Sequence, residues 1–127
     1  MGDERRVLIV DDEPDVRILL RVQLEAEDGL TVAGEAANGA AAIEQVAQQQ
    51  PDVVVMDLLM PIMSGFDAIA TLQQEHPEVG VVAYTAVAGN FVRQEMHRLG
   101  IELVLKTGQI KPLADALRRA GSCSHAS

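Results

Sequence analysis

Four short apolar runs without a polar break constrain this chain more than any other feature: Val7-Leu8-Ile9-Val10, Val53-Val54-Val55-Met56, Val81-Val82-Ala83-Tyr84 and Leu103-Val104-Leu105. A strand wetted on one face alternates apolar with polar residues, whereas a strand covered on both faces reads as a continuous, β-branched run. Four such runs therefore demand a sheet buried between two layers. A fifth segment, Thr31 to Ala36, is less apolar, as an edge strand would be.

Between the runs the period changes to that of a helix. Val16, Leu19, Leu20 and Leu24 share a face, with Pro14 at the start of the segment, where a proline is tolerated. Ala42, Ile43, Val46 and Ala47 follow the Asn38-Gly39 break. Phe66, Ile69 and Ala70 follow Ser64-Gly65-Phe66-Asp67, which reads as a capping box. Val92, Met96 and Leu99 form a stripe stopped by Gly100, and Ile110, Leu113, Ala114 and Leu117 form the last one. Five strand-helix units in succession predict an α/β fold: a doubly wound (βα)5 parallel five-stranded sheet with helices on both faces. The 127 residues amount to one domain. We expect it to span residues 1–120, with 121–127 a polar tail or the start of a linker.

Composition narrows the function. Aromatics make up only 2%, namely Phe66, Phe91 and Tyr84, so the core is aliphatic and base stacking is not expected. A net charge of −9 repels a polyanion, which argues against direct nucleic-acid binding by this chain. Cys123 has no second cysteine to pair with, and His76, His97 and His125 are too scattered for a zinc site. No apolar run reaches membrane-spanning length and Met1 to Arg6 opens no signal peptide, so the expected location is cytoplasmic, with no membrane partner.

In a doubly wound sheet, sites form outside the carboxyl ends of the strands. The first run ends in Asp11-Asp12, the third strand in Asp57, the fourth in Thr85 and the fifth in Lys106. Flavodoxin-like strand order, 2-1-3-4-5, would gather all of them on one rim. Each alone has an ordinary explanation: a turn or cap for the aspartates, β propensity for the threonine, solvation for the lysine. Together they form a chemical unit. Three clustered carboxylates need positive charge at neutral pH, which Lys106 and a hard divalent cation such as Mg²⁺ would supply. A carboxylate beside that cation can attack phosphorus to give an aspartyl phosphate. A hydroxyl and an ammonium would hold the remaining phosphoryl oxygens.

This ordered set resembles the receiver domain of two-component response regulators over residues 6 to 120. The matching pieces are Val7 to Pro14, Pro51 to Pro61 around Met56-Asp57-Leu58, Ser64-Gly65, Tyr84-Thr85-Ala86 and Leu105-Lys106. Val32 to Gly39 is similar to the NarL/LuxR-type branch. The resemblance implies a CheY-like fold and a phosphoprotein of phosphorelay signal transduction, phosphorylated on Asp57 by a histidine kinase or a phosphotransfer protein. It implies Mg²⁺, or Mn²⁺ in its place, on Asp12, Asp57 and the backbone carbonyl of Leu59, with Asp11 helping. Thr85 and Lys106 would bind the phosphoryl group, and the segment from Ala86 would move as the switch. An output domain or a homodimer would read the signal.

The sequence also departs from the family pattern. Thr107 stands where many receivers have proline, and Lys111-Pro112 is a rival for the lysine role; Lys106 is preferred because it ends an apolar strand. Leu103 replaces a common aromatic, and Ser64 a common aspartate. Leu59 and Val87, two residues beyond Asp57 and Thr85, are apolar where the family tunes the hydrolytic water, which predicts slow self-dephosphorylation. A dehalogenase-like phosphotransferase would want a second Asp at Leu59 and a cap domain. A flavin binder would want a phosphate loop in place of Asp11-Asp12-Glu13. A receiver that no longer takes phosphate would lack some of the five site residues. A phospho-accepting regulatory domain, not an enzyme, is the expectation.

Overall fold

The computed structural model describes residues 4–60, 64–86 and 88–121. The apolar runs become β1 (Arg5–Val10), β3 (Val53–Met56), β4 (Gly80–Thr85) and β5 (Glu102–Leu105), and the weaker segment becomes β2 (Leu30–Ala36). All pairings are parallel, in the order β2-β1-β3-β4-β5. β2 is an edge strand, and most of its residues are only half-buried, in keeping with its mixed composition. Every residue of β3 is buried, as its Val-Val-Val-Met sequence requires.

Five helices close the two faces: α1 (Pro14–Glu25), α2 (Gly39–Gln49), α3 (Gly65–Glu75), α4 (Asn90–Leu99) and α5 (Ile110–Gly121). One core layer packs Leu8, Val10, Val54 and Met56 against Ala42, Val46, Ile69, Leu72 and Met96 from α2, α3 and α4. The other packs Val7, Ile9, Val55 and Tyr84 against Leu20, Leu24, Leu113 and Leu117 from α1 and α5. Alternate residues of each strand thus feed opposite layers.

Three positions expected on the core faces point outward. Leu19 is 54% exposed, while Leu20 and Leu24 are buried. Leu20 and Leu24, four residues apart, set the buried face of α1, and Leu19 falls on its solvent side. Ala47 beside Val46 and Ala70 beside Ile69 lie outside for the same reason. In α3 the buried positions are instead Ala68, Ile69 and Leu72.

Helix ends follow local chemistry. Asn38 Oδ1 accepts from the Ala41 N–H at 2.8 Å to open α2, and Ser64 Oγ accepts from the Asp67 N–H at 3.3 Å to open α3. The Asp67 carboxylate accepts from the Ser64 hydroxyl at 3.3 Å. Gly100, at φ 72°, ends α4 in the left-handed conformation that glycine adopts without strain.

Candidate functional site

The carboxyl ends of the strands deliver their polar residues to one rim. The backbone N–H of Asp11 donates to Ala36 at 3.1 Å, and that of Asp57 donates to Val10 at 3.0 Å, so the ladder carries both aspartates to its last rung. Asp11 and Asp57 are buried and Asp12 is half-buried beside them. Each of the three offers a carboxylate oxygen lying within 4.8 Å of the others'.

Lys106 reaches this cluster from β5. Its backbone N–H donates to the Thr85 carbonyl at 2.8 Å, which ties the two strand ends together. Its Nζ donates to Asp11 Oδ2 at 2.8 Å and lies 3.6 Å from Asp57 Oδ1. Lys111 pairs elsewhere: it is exposed and meets Glu27 at 3.4 Å. Thr85 is fully buried at the end of β4, and Ala86 beyond it is exposed. Val87 lies outside the described residues, as do Pro61 and the tail from Ser122.

The electrostatics are those of a crowded anionic pocket. Burial pushes the Asp57 carboxyl above its ordinary pKa. Lys106 and the Leu59 N–H oppose this, while Asp11 and Asp12 reinforce it. For Lys106, burial works against the charge, but the hydrogen bond to Asp11 and the field of Asp57 outweigh it, so the ammonium is held more firmly than usual. Asp57 Oδ1 accepts the Leu59 N–H at 3.2 Å; Oδ2 makes no hydrogen bond among the described residues. The donor set is all oxygen and strongly anionic, which fits Mg²⁺ or Mn²⁺. Asp11, Asp12 and Asp57 could hold such an ion, and the exposed Leu59 leaves its carbonyl on the loop that borders them.

Three contributors were not singled out from the sequence. Arg17, one turn into α1, donates to the Asp11 carbonyl at 2.5 Å and to Glu35 at 3.2 Å, fixing the loop that carries both aspartates. Its place one turn after Asp12 was the only available signal. Gly65 was read as part of a cap. A Cβ there would collide with the carbonyl oxygen of Asp57 and lie 2.7 Å from Leu58 Cα, so glycine lets α3 start directly against the backbone of Asp57. Tyr84 was read as a strand residue, yet its ring centroid lies 5.7 Å from Lys106 Nζ.

A groove of about 470 Å³ lies at the opposite end of the sheet, lined by Val79, Gly80, Ile101 and Arg119 among others, and holds none of these residues. Among the described residues, no helix is long and apolar enough to cross a membrane.

Comparison with known proteins gives a consistent result. The family model described as response regulator receiver domain matches residues 7–118. The chain is 34% identical to the chemotaxis protein CheY of Thermotoga maritima over 116 residues, covering 91% of this chain and 96% of that protein. It is 43% identical over 91 residues to protein-glutamate methylesterase/protein-glutamine glutaminase 4 of Geobacter metallireducens, covering 72% of this chain but only 25% of that protein. Thus the chain spans about a quarter of the length of such methylesterase relatives. Among solved structures, the signal receiver domain of the response regulator NarL from Mycobacterium tuberculosis superposes with a TM-score of 0.86 at 25% identity, covering 99% of this chain and 100% of that one.

Proposed function

The chain belongs to the response regulator receiver domain family, and on that premise we propose that it is a phosphorylation switch whose acceptor is Asp57. The observation that carries this reading is the meeting of Asp11, Asp12, Asp57 and Lys106 at the carboxyl rim. Nothing in the core needs four charged groups there, and carboxylates at such separations repel one another.

The donor would be a phosphohistidine on a histidine kinase or phosphotransfer protein, or a small acyl phosphate. An Asp57 carboxylate oxygen attacks phosphorus and the new O–P bond forms as the bond to the leaving group breaks: the P–N bond of phosphohistidine, whose imidazole takes a proton from solvent, or the P–O bond of an acyl phosphate, which leaves as a carboxylate. The Leu59 N–H and Lys106 hold Oδ1, which leaves Oδ2 to act as nucleophile. A Mg²⁺ or Mn²⁺ ion bound by Asp11, Asp12, Asp57 and the Leu59 carbonyl would neutralise charge on the transferring group. Lys106 and the Thr85 hydroxyl would then take the phosphoryl oxygens.

A phosphoryl group adds nearly two negative charges at this rim, which biases the β4–α4 connection around Ala86. That segment, with the exposed Phe91 at the start of α4, is the surface a partner would read. The reader would be an output domain or a second copy of the chain. Residues 1–120 would act as the switch domain, with 121–127 as tail or linker.

Intact-mass measurement after incubation with Mg²⁺ and acetyl phosphate tests the assignment. Wild type is expected to gain one phosphoryl mass, and Asp57→Asn none. A phosphoryl adduct that persists in Asp57→Asn would place the acceptor elsewhere.

A further inference from the structure

We infer that Tyr84 is a positioning residue for Lys106: its ring is the platform that holds the ammonium over Asp11 and Asp57. This inference rests on the reading of Lys106 as a phosphoryl-binding group at the Asp57 site.

The argument begins with reach. Lys106 follows β5, while Asp11 follows β1, and β4 and β3 lie between them. The Lys106 side chain must therefore run across the strand ends to place Nζ 2.8 Å from Asp11 Oδ2. A lysine stem held in one extended path loses much rotamer freedom, and something must compensate for that loss. Backbone pairing fixes only its root, through the bond to the Thr85 carbonyl. Tyr84 lies next to Thr85 and faces the layer shared with α1 and α5. Its ring centroid is 5.7 Å from Nζ, within the range at which an ammonium is attracted to an aromatic face. Tyr84 as a whole is 7% exposed and packs in that core layer, which restrains its ring. Leu103, where many family members carry an aromatic, is no substitute: it pairs with Ala83 and packs against the opposite layer.

The geometry sets two opposing consequences of removing the ring. Lys106 shares Asp11 with any cation the cluster binds, so a loosened Lys106 competes less and Mg²⁺ binds more tightly. The same loosening removes a pre-placed charge from the incoming phosphoryl group, so transfer slows. General damage to the fold would weaken both.

The test uses wild type, Tyr84→Leu, Tyr84→Phe, Lys106→Met and the Tyr84→Leu/Lys106→Met double variant. Mg²⁺ affinity is read by calorimetry and the rate of Asp57 phosphorylation by intact mass with acetyl phosphate. Tyr84→Leu should bind Mg²⁺ roughly 2- to 5-fold more tightly and accept phosphate roughly 2- to 5-fold more slowly, the span expected of a partly exposed cation–π contact. Tyr84→Phe, which keeps the ring, should restore both. In the Lys106→Met background, Tyr84→Leu should leave Mg²⁺ affinity unmoved, because the group it acts through is gone. If Tyr84→Leu does not fold, Tyr84→Met takes its place. The inference fails if ring removal changes neither quantity, weakens both together, or still shifts Mg²⁺ affinity without Lys106. Absence of phosphorylation in wild type would instead overturn the Asp57 assignment, while the Mg²⁺ measurements decide the Tyr84–Lys106 contact by themselves.

Discussion

The two ends of the sheet are built on opposite electrostatic plans. At the amino-terminal end, charges meet partners of opposite sign or backbone groups. Arg6 Nη1 donates to the carbonyls of Gln49 and Gln50 at 2.6 and 2.9 Å, closing the last turn of α2. Arg118 pairs with Glu27 at 3.0 Å and donates to the Asp28 carbonyl, and Arg119 pairs with Glu102. At the carboxyl end, three carboxylates crowd together with one ammonium among them. One end is arranged as stability alone would arrange it. The other concentrates like charge in a cluster that could hold a divalent cation, and such local conflicts mark functional sites.

The largest effects should come from the two glycines that bring helices against strands at these ends. A Cβ on Gly65 meets the backbone of Asp57 and Leu58, and one on Gly80 lies 2.6 Å from the Ala120 carbonyl oxygen. Overpacking against backbone costs about 1–3 kcal/mol, so Gly65→Ala and Gly80→Ala should both lower the denaturation midpoint. Only Gly65→Ala displaces Asp57, the proposed acceptor, and its phosphorylation rate should fall roughly 10- to 100-fold. Equal phosphorylation defects in the two variants would erase the distinction between the ends.

Next in size is Arg6→Met, which keeps the stem and removes the donors to α2. Loss of charge-assisted bonds to carbonyls should cost about 1–2 kcal/mol in denaturant unfolding. Mg²⁺ affinity should not change, because Arg6 lies at the far end of β1 from the carboxylates. A shift in affinity would show that the two ends are coupled through the sheet.

How much of this contrast could be read from the sequence differs between the ends. Strand positions were legible because double-sided burial forces continuous apolar runs such as Val53 to Met56, and the rim residues were legible because they end those runs; the strand order came from the likeness to doubly wound folds, since runs alone do not say which strands are neighbours. The preference for Lys106 over Lys111 came from the same rule, and Lys106 is the lysine that reaches Asp11 and Asp57. Contacts made across the fold were not legible. Arg6 lies 43 residues from Gln49, and Arg17 lies 18 from Glu35. A glycine in a cap looks the same whether or not a strand end presses against it. Helix faces were legible to within one residue: an apolar pair such as Leu19-Leu20 leaves its inward member undecided until packing fixes the phase.

A smaller effect concerns phosphoryl lifetime. Leu59 is 63% exposed on the loop after Asp57, an apolar group where a polar one could orient an attacking water. We expect the Leu59→Asn, Val87→Glu double variant to lose its phosphoryl group about tenfold faster than wild type, a barrier lower by about 1.4 kcal/mol. Phosphoprotein decay followed by mass after removal of donor reads this directly. Equal lifetimes would mean that Leu59 and Val87 do not limit access of water.

The smallest effect tests the strained end without any phosphoryl group. Burial, reinforced by Asp11 and Asp12, raises the Asp57 carboxyl above its ordinary pKa, and Lys106 offsets this only in part. A carboxyl that holds its proton more tightly folded than unfolded favours the fold when protonated. That contribution is complete below the ordinary carboxylate pKa and is lost as pH rises through the raised folded value. Asp57→Asn removes the charged form altogether. In metal-free buffer near pH 7 it should therefore melt a few degrees above wild type, and the gap should close as pH falls into the ordinary carboxylate range. Saturating Mg²⁺ should close it from the other side, because an ion at ten times its Kd stabilises wild type by about 1.4 kcal/mol. An Asp57→Asn variant that is less stable than wild type at pH 7 without metal would mean that Lys106 fully compensates the cluster, and the carboxyl end would then be no more strained than the amino-terminal one.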